Sequence, residues 1–356
     1  MVATSAKTKT PKRYSKGPLP REKWENLPDE ILLDLRVCDL KLSLEGTVVE
    51  RCIRRVEREL TDRGLTFRPY FWLSDDWYCP DGVTGIAVPF FLAHPRLCRL
   101  EQRQILDAEG AREAECLKIL RHEVGHALEN AYRTRRRRCR QRRFGKSTAP
   151  YPEHYAPKPY SKRFVLHLDS WYAQSHPDED FAETFAVWLD PGSFWRTRYQ
   201  GWPALKKLEY MDGLMRELAG KTPPVRTRFT IDPVHRMKKT LRQHYRQKRR
   251  RFGLDHPHFY DRDLRRLFSD ASEHQTNMTA AACLRKIRRD VRKIVAEWTG
   301  QYQYTIDTVI QDMIERSDEL SLRMAHDLEQ TKVDFTVLLT VQTMNYLHSG
   351  RHRVAL

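Results

Sequence analysis

Leu120–Asn130 reads LRHEVGHALEN, and no other stretch limits so tightly what this chain can fold into. His122 and His126 stand four apart in a run where Leu117, Leu120, Val124, Ala127 and Ala131 recur at helical spacing. Residues four apart on a helix lie on nearly one face. The spacing therefore predicts a helix over about Glu113–Tyr132, with both imidazoles on one side and the apolar stripe on roughly the opposite side. Glu123 falls about a quarter turn from His122. Gly125 sits inside this helix, where glycine costs about 1 kcal/mol relative to alanine. A close backbone approach on that side would account for it.

Two imidazoles on one face can direct their ring nitrogens at a single cation. Glu123 can then reach a water on that cation without ligating it. This is the H-E-x-x-H arrangement of zinc peptidases; a solvent-facing histidine pair is the bland alternative. A catalytic zinc site wants three protein ligands and one open position. The metzincin continuation needs Gly and then His on the same run. Glu129 and Tyr132 stand at those places, which excludes that class.

A third ligand is better sought in HPDEDFAETFAVWL, residues 176–189. Pro177 suits a first helical turn. Glu179 and Glu183 are four apart and share a face, Phe181, Phe185 and Trp188 cover another, and Ala182 and Ala186 permit close helix packing. Two carboxylates stacked on an otherwise apolar helix are costly to bury unless paired or bound to metal. The alternative is a helix start whose acids are favoured by the macrodipole.

Around these two segments the pattern is mixed. Helices are expected over Pro28–Leu35, Thr47–Arg63 and 203–219, and strands at Leu40–Leu44, at TFRPYFWL (66–73), at GIAVPFF (85–91) and at RFVLHL (163–168). A Pro/Gly/Asp turn separates 66–73 from 85–91, and each contains a proline, which favours an edge position. APYPEHYAPKPY (149–160) reads as a long loop. AGKTPPV (219–225) breaks the chain, and beyond it Leu284–Trp298, Ile306–Arg323 and Phe335–Leu347 have helical spacing. The order of elements predicts an α+β domain followed by a mostly helical region.

The 356 residues suggest about two domains. The boundaries expected are a disordered basic tail over 1–25, a first domain over 26–222 and a basic helical region over 223–356. The tail lacks the apolar core of a secretory signal, and a transit peptide is weakly supported because arginine is scarce and no clear period appears. Apolar runs such as VLLTV are far too short to span a membrane. Seven scattered cysteines without a C-x-x-C pair argue against a disulfide framework and a cysteine zinc site, and point to a reducing, cytoplasmic setting.

Taken together, H-E-x-x-H on one helix and E-x-F-A-E-x-F-A on the next resemble the gluzincin metallopeptidases. The likeness is closest to bacterial proteins described as zinc-binding metallopeptidases, and covers most of residues 30–220. It implies a zincin-like domain with a small mixed sheet and an active-site helix. It also implies Zn2+ held by His122, His126 and Glu179, with Glu123 as general base. By the same resemblance Glu183 orients a zinc-bound histidine, Tyr172 donates to the oxyanion, and an edge strand, here GIAVPFF, receives a peptide or protein substrate.

The net charge of +17 attracts anions. RTRRRRCRQRR (133–143) holds eight arginines, and HRMKKTLRQHYRQKRRRF (235–252) interleaves His244 and Tyr245 with its charges. Nucleic acid or an acidic protein would suit both blocks, while a solvated face is the plain alternative. Two competing functions follow. One is a nucleic-acid-associated zinc protein in which His154 or His167 completes the site; the other is a zincin-like binding module without turnover.

Overall fold

The computed structural model describes residues 24–105, 107–152, 154–155, 158, 161–252, 260–348 and 354–355. Of the expected tail, residues 1–23 lie outside the described residues. Trp24 is fully buried, and its Nε1 donates to Leu40 O at 3.2 Å.

Local chemistry sets the first helices. After α1 (Asp29–Leu32), α2 spans Val48–Asp62. Thr47 caps α2 by accepting from Glu50 N, and Gly64 (φ +73) turns the chain away after it. β1 (Tyr70–Ser74) and β2 (Gly85–Pro89) then pair in parallel, Tyr70 opposite Gly85 and Ser74 opposite Pro89. Helices α3 (Pro95–Ile105) and α4 (Glu113–Tyr132) follow. Every residue of α4 from Ile119 to Tyr132 is buried, so the histidine face is interior as well as the apolar stripe. Asn130 on α4 donates to Pro80 O (2.9 Å) and Val83 O (2.8 Å), tying the β1–β2 connection to this helix.

Short α5 (Arg138–Phe144) leads through the two-residue β3 (His154–Tyr155) to α6 (Pro177–Leu189), and α7 (Trp195–Arg198) and α8 (Leu205–Leu218) follow. Helices α4 and α6 pack on one another, with α2 on α4 and α8 on α6. One core joins Val56, Ile86, Val88, Leu120, Val124, Phe181, Phe185 and Met211.

The chain does not leave this core at the 219–225 break. Residues 227–232 cross the other face of β1–β2, held through main-chain carbonyls: Thr84 donates to Thr227 O, Tyr70 to Phe229 O and Trp72 to Ile231 O. Val234, Met237, Leu241 and Tyr245 then join the first core, the last two from α9 (Leu241–Phe252). A second core starts at Tyr260. It is built by α10 (Asp261–Leu267), α11 (Ala280–Thr299), α12 (Gln303–Glu319) and α13 (Leu328–His348) around Leu284, Val291, Ile310 and Phe335. Two short antiparallel pairs complete the sheet content: β3 with β6 (Val354–Ala355), and β4 (Phe268–Ser269) with β5 (Arg323–Met324).

The molecule is thus mostly helical, with thirteen α-helices and a little sheet among the described residues. In this coarse sense it matches the α+β expectation. No described helix is long and apolar enough to cross a membrane. Two expected strands are absent. Over 40–44 the alternation of residue types does not make a strand: Val37–Leu40 is a 3₁₀ turn and Lys41 has φ +49, which breaks extension. Over 163–168 side chains take the main-chain donors, Leu166 N giving to Tyr199 Oη and Leu168 N to Glu183 Oε2.

The strand GIAVPFF also departs from expectation as a free substrate edge. All of β2 is buried, β1 occupies one side, and Ala87 N on the other side donates to Tyr78 O at 2.8 Å.

Candidate metal centre

Helix geometry brings His122 and His126 together, and the crossing of α6 over α4 brings two carboxylates to them. Glu179 and Glu183 take opposite nitrogens of the same ring. Glu179 Oε2 is 3.0 Å from His122 Nε2, and Glu183 Oε1 is 2.8 Å from His122 Nδ1. A carboxylate only accepts, so Glu183 holds a proton on Nδ1, while Nε2, between Glu179 and His126, either shares a proton with Glu179 or turns its lone pair to a cation. His126 Nε2 lies 3.1 Å from His122 Nε2 and 3.1 Å from Glu179 Oε2.

Three electron-rich atoms therefore meet at hydrogen-bond distance in a buried place, with side-chain exposures of 3%, 9% and 7%. They repel unless positive charge lies among them. The titration tendencies agree. Burial opposes a charged His122, yet its hydrogen bonds to Glu179 and Glu183 drive its pKa well above the ordinary histidine value. Burial would raise Glu179, but the two histidines pull it well below the carboxylate range. Two imidazole nitrogens and one carboxylate oxygen are a fitting zinc donor set, and His122, His126 and Glu179 form the metal-capable group among the described residues.

Glu123 stands beside this group and outside it. Its Oε2 is buried with no hydrogen-bond partner, and burial pushes its carboxyl pKa up. Tyr172 lies in the 3₁₀ segment Asp169–Gln174, its ring centroid 5.5 Å from that of His122. Burial first, then the Glu179 and Glu123 charges, hold its phenol well above the usual tyrosine pKa, so it remains a donor. Glu183 is fixed through both oxygens, by His122 and by Leu168 N. His167 points elsewhere, donating to Lys118 O at 2.9 Å. The side chain of His154 lies outside the described residues.

Residues 102–201 match the family model described as "Putative zinc-binding metallo-peptidase". No curated protein matches the chain, and no solved structure does. The matched stretch contains the whole His122, Glu123, His126, Tyr172, Glu179 and Glu183 group.

Within that stretch lie residues the sequence reading missed. Tyr151, in the Pro/Tyr-rich loop, donates to Glu179 Oε1 at 2.8 Å. Loss of water and the Glu179 charge both raise its pKa, so it too stays protonated. Its ring stacks on His176, the N-cap of α6, with centroids 3.7 Å apart. No periodicity marks a loop tyrosine, so the sequence carried no signal for it.

Within the matched stretch the fold also absorbs part of the arginine run. Arg140, fully buried, donates to Glu129 Oε1 (2.7 Å) on α4 and Asp178 Oδ1 (2.6 Å) on α6. Arg135 pairs with Glu129, Asp178 and Asp81, and Arg137 with Glu217. Arg133, Arg136, Arg138, Arg142 and Arg143 are exposed. In the second basic block His244 and Tyr245 are buried in the core and cannot stack on bases as expected. Arg242 meets Asp34 and Glu30, and Lys248 meets Glu101.

Proposed function

We propose that the chain is a zinc-dependent metallopeptidase of gluzincin type. The zincin-like unit expected over 26–222 would extend through α9, whose Leu241 and Tyr245 pack in its core, and the helical region would begin near Tyr260. One observation carries this reading: the donor atoms of His122, His126 and Glu179 converge, while the Glu123 carboxylate stands beside them without a partner. The family match over 102–201 supports it. Seven unpaired cysteines support a reducing, cytoplasmic setting.

In this reading His122, His126 and Glu179 hold the ion. When bound, zinc supplies Lewis acidity, lowering the pKa of water and polarising a peptide carbonyl. Glu183 holds the proton on His122 Nδ1 and so keeps Nε2 aimed at the ion. Glu123 takes a proton from the attacking water and passes it to the leaving amine; burial raises its pKa, the direction that a proton carrier needs. Tyr172 donates a hydrogen bond to the oxyanion as the carbonyl becomes tetrahedral.

The test is metal content and cleavage of a mixed peptide library by the purified full chain. Glu123→Gln keeps zinc and loses about a hundredfold or more in rate. Glu179→Ala loses zinc. Loss of zinc in His167→Ala instead would overturn the ligand set, Glu123→Gln with full cleavage would remove Glu123 as base, and a zinc-loaded wild type that cleaves no peptide would favour a binding module without turnover. The exposed arginines of 133–143 support an anionic partner for the same protein. A gel-shift titration with DNA or RNA across a salt series tests this, because phosphate contacts weaken steeply with salt.

A further inference from the structure

We infer that the Tyr151 hydroxyl restricts Glu179 to one metal-facing oxygen, which keeps a coordination position free for water. The inference rests on the reading of His122, His126 and Glu179 as zinc ligands.

The two oxygens of Glu179 have different partners. Oε2 faces both imidazoles, at 3.0 and 3.1 Å, and Oε1 accepts from Tyr151 Oη at 2.8 Å. A carboxylate can bind a cation through one oxygen or through both. To use both, Glu179 would have to give up the phenol. A second Glu179 oxygen would then compete for the position that a hydrolytic site reserves for water. Glu183 does not raise the same problem, since His122 and Leu168 N already hold both of its oxygens.

Tyr151 is held in place from outside the site. Half of its surface is exposed (50%), and its ring lies on His176 with an interplanar angle of 17°. Both nitrogens of His176 are committed: Nε2 donates to Ala149 O (2.9 Å), and Nδ1 accepts from Asp178 N (3.1 Å). The imidazole therefore caps α6, fastens the chain two residues before Tyr151 and supports the tyrosine ring. His176 and Glu179 lie within one turn of the same helix start. The element that presents the ligand thus also places the phenol that constrains it. Tyr151 is a positioning residue; it acts through Glu179.

Tyr151→Phe separates this role from a simple tether, because the ring can still stack on His176. Wild type and variant are loaded with zinc and compared by X-ray absorption, by the visible spectrum after cobalt substitution, by chelator competition and by peptide turnover. In the variant the metal shell gains one oxygen and the cobalt bands weaken several-fold. Zinc is held as tightly or more tightly, and kcat falls about tenfold with little change in KM. An unchanged metal shell overturns the inference whatever the activity. So does a tenfold or greater loss of zinc affinity, since Tyr151 would then merely hold Glu179 in place. A wild-type chain that takes up no zinc defeats the peptidase reading itself, and that arm is read separately.

Discussion

A Cβ placed on Gly125 would stand 2.9 Å from the Cα of Ala182 and 3.2 Å from its carbonyl oxygen. At this point α4 and α6 touch backbone to backbone. His126 is the next residue on one helix, and Glu179 is three residues back on the other. The depth of this contact therefore sets how far the carboxylate lies from the imidazoles. Alanine at 125 gains about 1 kcal/mol of helix propensity, but it pushes on main chain that has nowhere to go, at a cost of about 1–3 kcal/mol. Gly125→Ala is expected to be net destabilising in urea denaturation and to weaken zinc binding. Gly213→Ala is the matched control. It lies at an exposed position of α8 with no atom within 4 Å of the added Cβ, and should stabilise by about 1 kcal/mol. A Gly125→Ala protein as stable as that control would show that the helices do not seat so closely.

Glu183 argues for a graded response. It is fully buried and holds His122 Nδ1 and Leu168 N at once. Glu183→Ala leaves both donors without partners and frees the imidazole to turn. Zinc affinity should fall about 10- to 100-fold. Glu183→Gln can still accept through its amide oxygen and should lose less. Chelator competition distinguishes them, and equal affinities for all three proteins would count against an orienting role.

The parts of the site that were legible in the sequence are those whose geometry is local. His122, Glu123 and His126 follow from helix spacing, and so does the shared face of Glu179 and Glu183. Gly125 and Ala182 were each legible as a place for close packing, but not that they face one another. Tyr151 and His176 were not, because a loop has no period and a stacking contact leaves no spacing. Arg140 was hidden for another reason. In the sequence it is one of eight similar arginines, and only the fold decides which of them meets a buried acid. Leu40, Leu42 and Leu44 misled because alternating residue types do not supply the partner that a strand's main chain needs.

Arg140 supplies a stability prediction that runs against its reading as a solvated charge. Its guanidinium separates Glu129 from Asp178 in a region without solvent, and also binds Gly145 O at 2.8 Å. Arg140→Met leaves two buried acids facing one another. Breaking such a pair costs about 3–5 kcal/mol. Arg135, at 3.2 Å from Glu129 and 3.4 Å from Asp178, offsets part of this, so the lower end is expected. Arg138→Ala, at an exposed position, should change stability by no more than about 0.5 kcal/mol. Denaturant midpoints for the two variants test the contrast. Equal shifts would mean that Arg140 is as dispensable as its neighbours.

His244 gives the fold a pH dependence separate from the metal centre. It lies buried on α9, with its ring 5.0 Å from that of Phe90 and Nε2 without a hydrogen-bond partner. Burial first, then the charges of Lys239 and Lys248, lower its pKa to about 3, with Asp75 opposing. The unfolded chain protonates this imidazole near 6.5, and the folded chain does so only near 3. Between those values the unfolded state binds more protons, so stability falls as pH falls. The contribution is intact above about pH 6.5 and declines steadily below it. At pH 5 the loss amounts to about 2 kcal/mol relative to pH 8. His244→Phe keeps an aromatic ring beside Phe90 and removes the titration. Urea denaturation of both proteins at pH 8 and pH 5 reads the difference directly. Wild type should lose about 2 kcal/mol more than the variant over that interval; parallel losses would show that His244 takes up its proton in the folded state as readily as in the unfolded one.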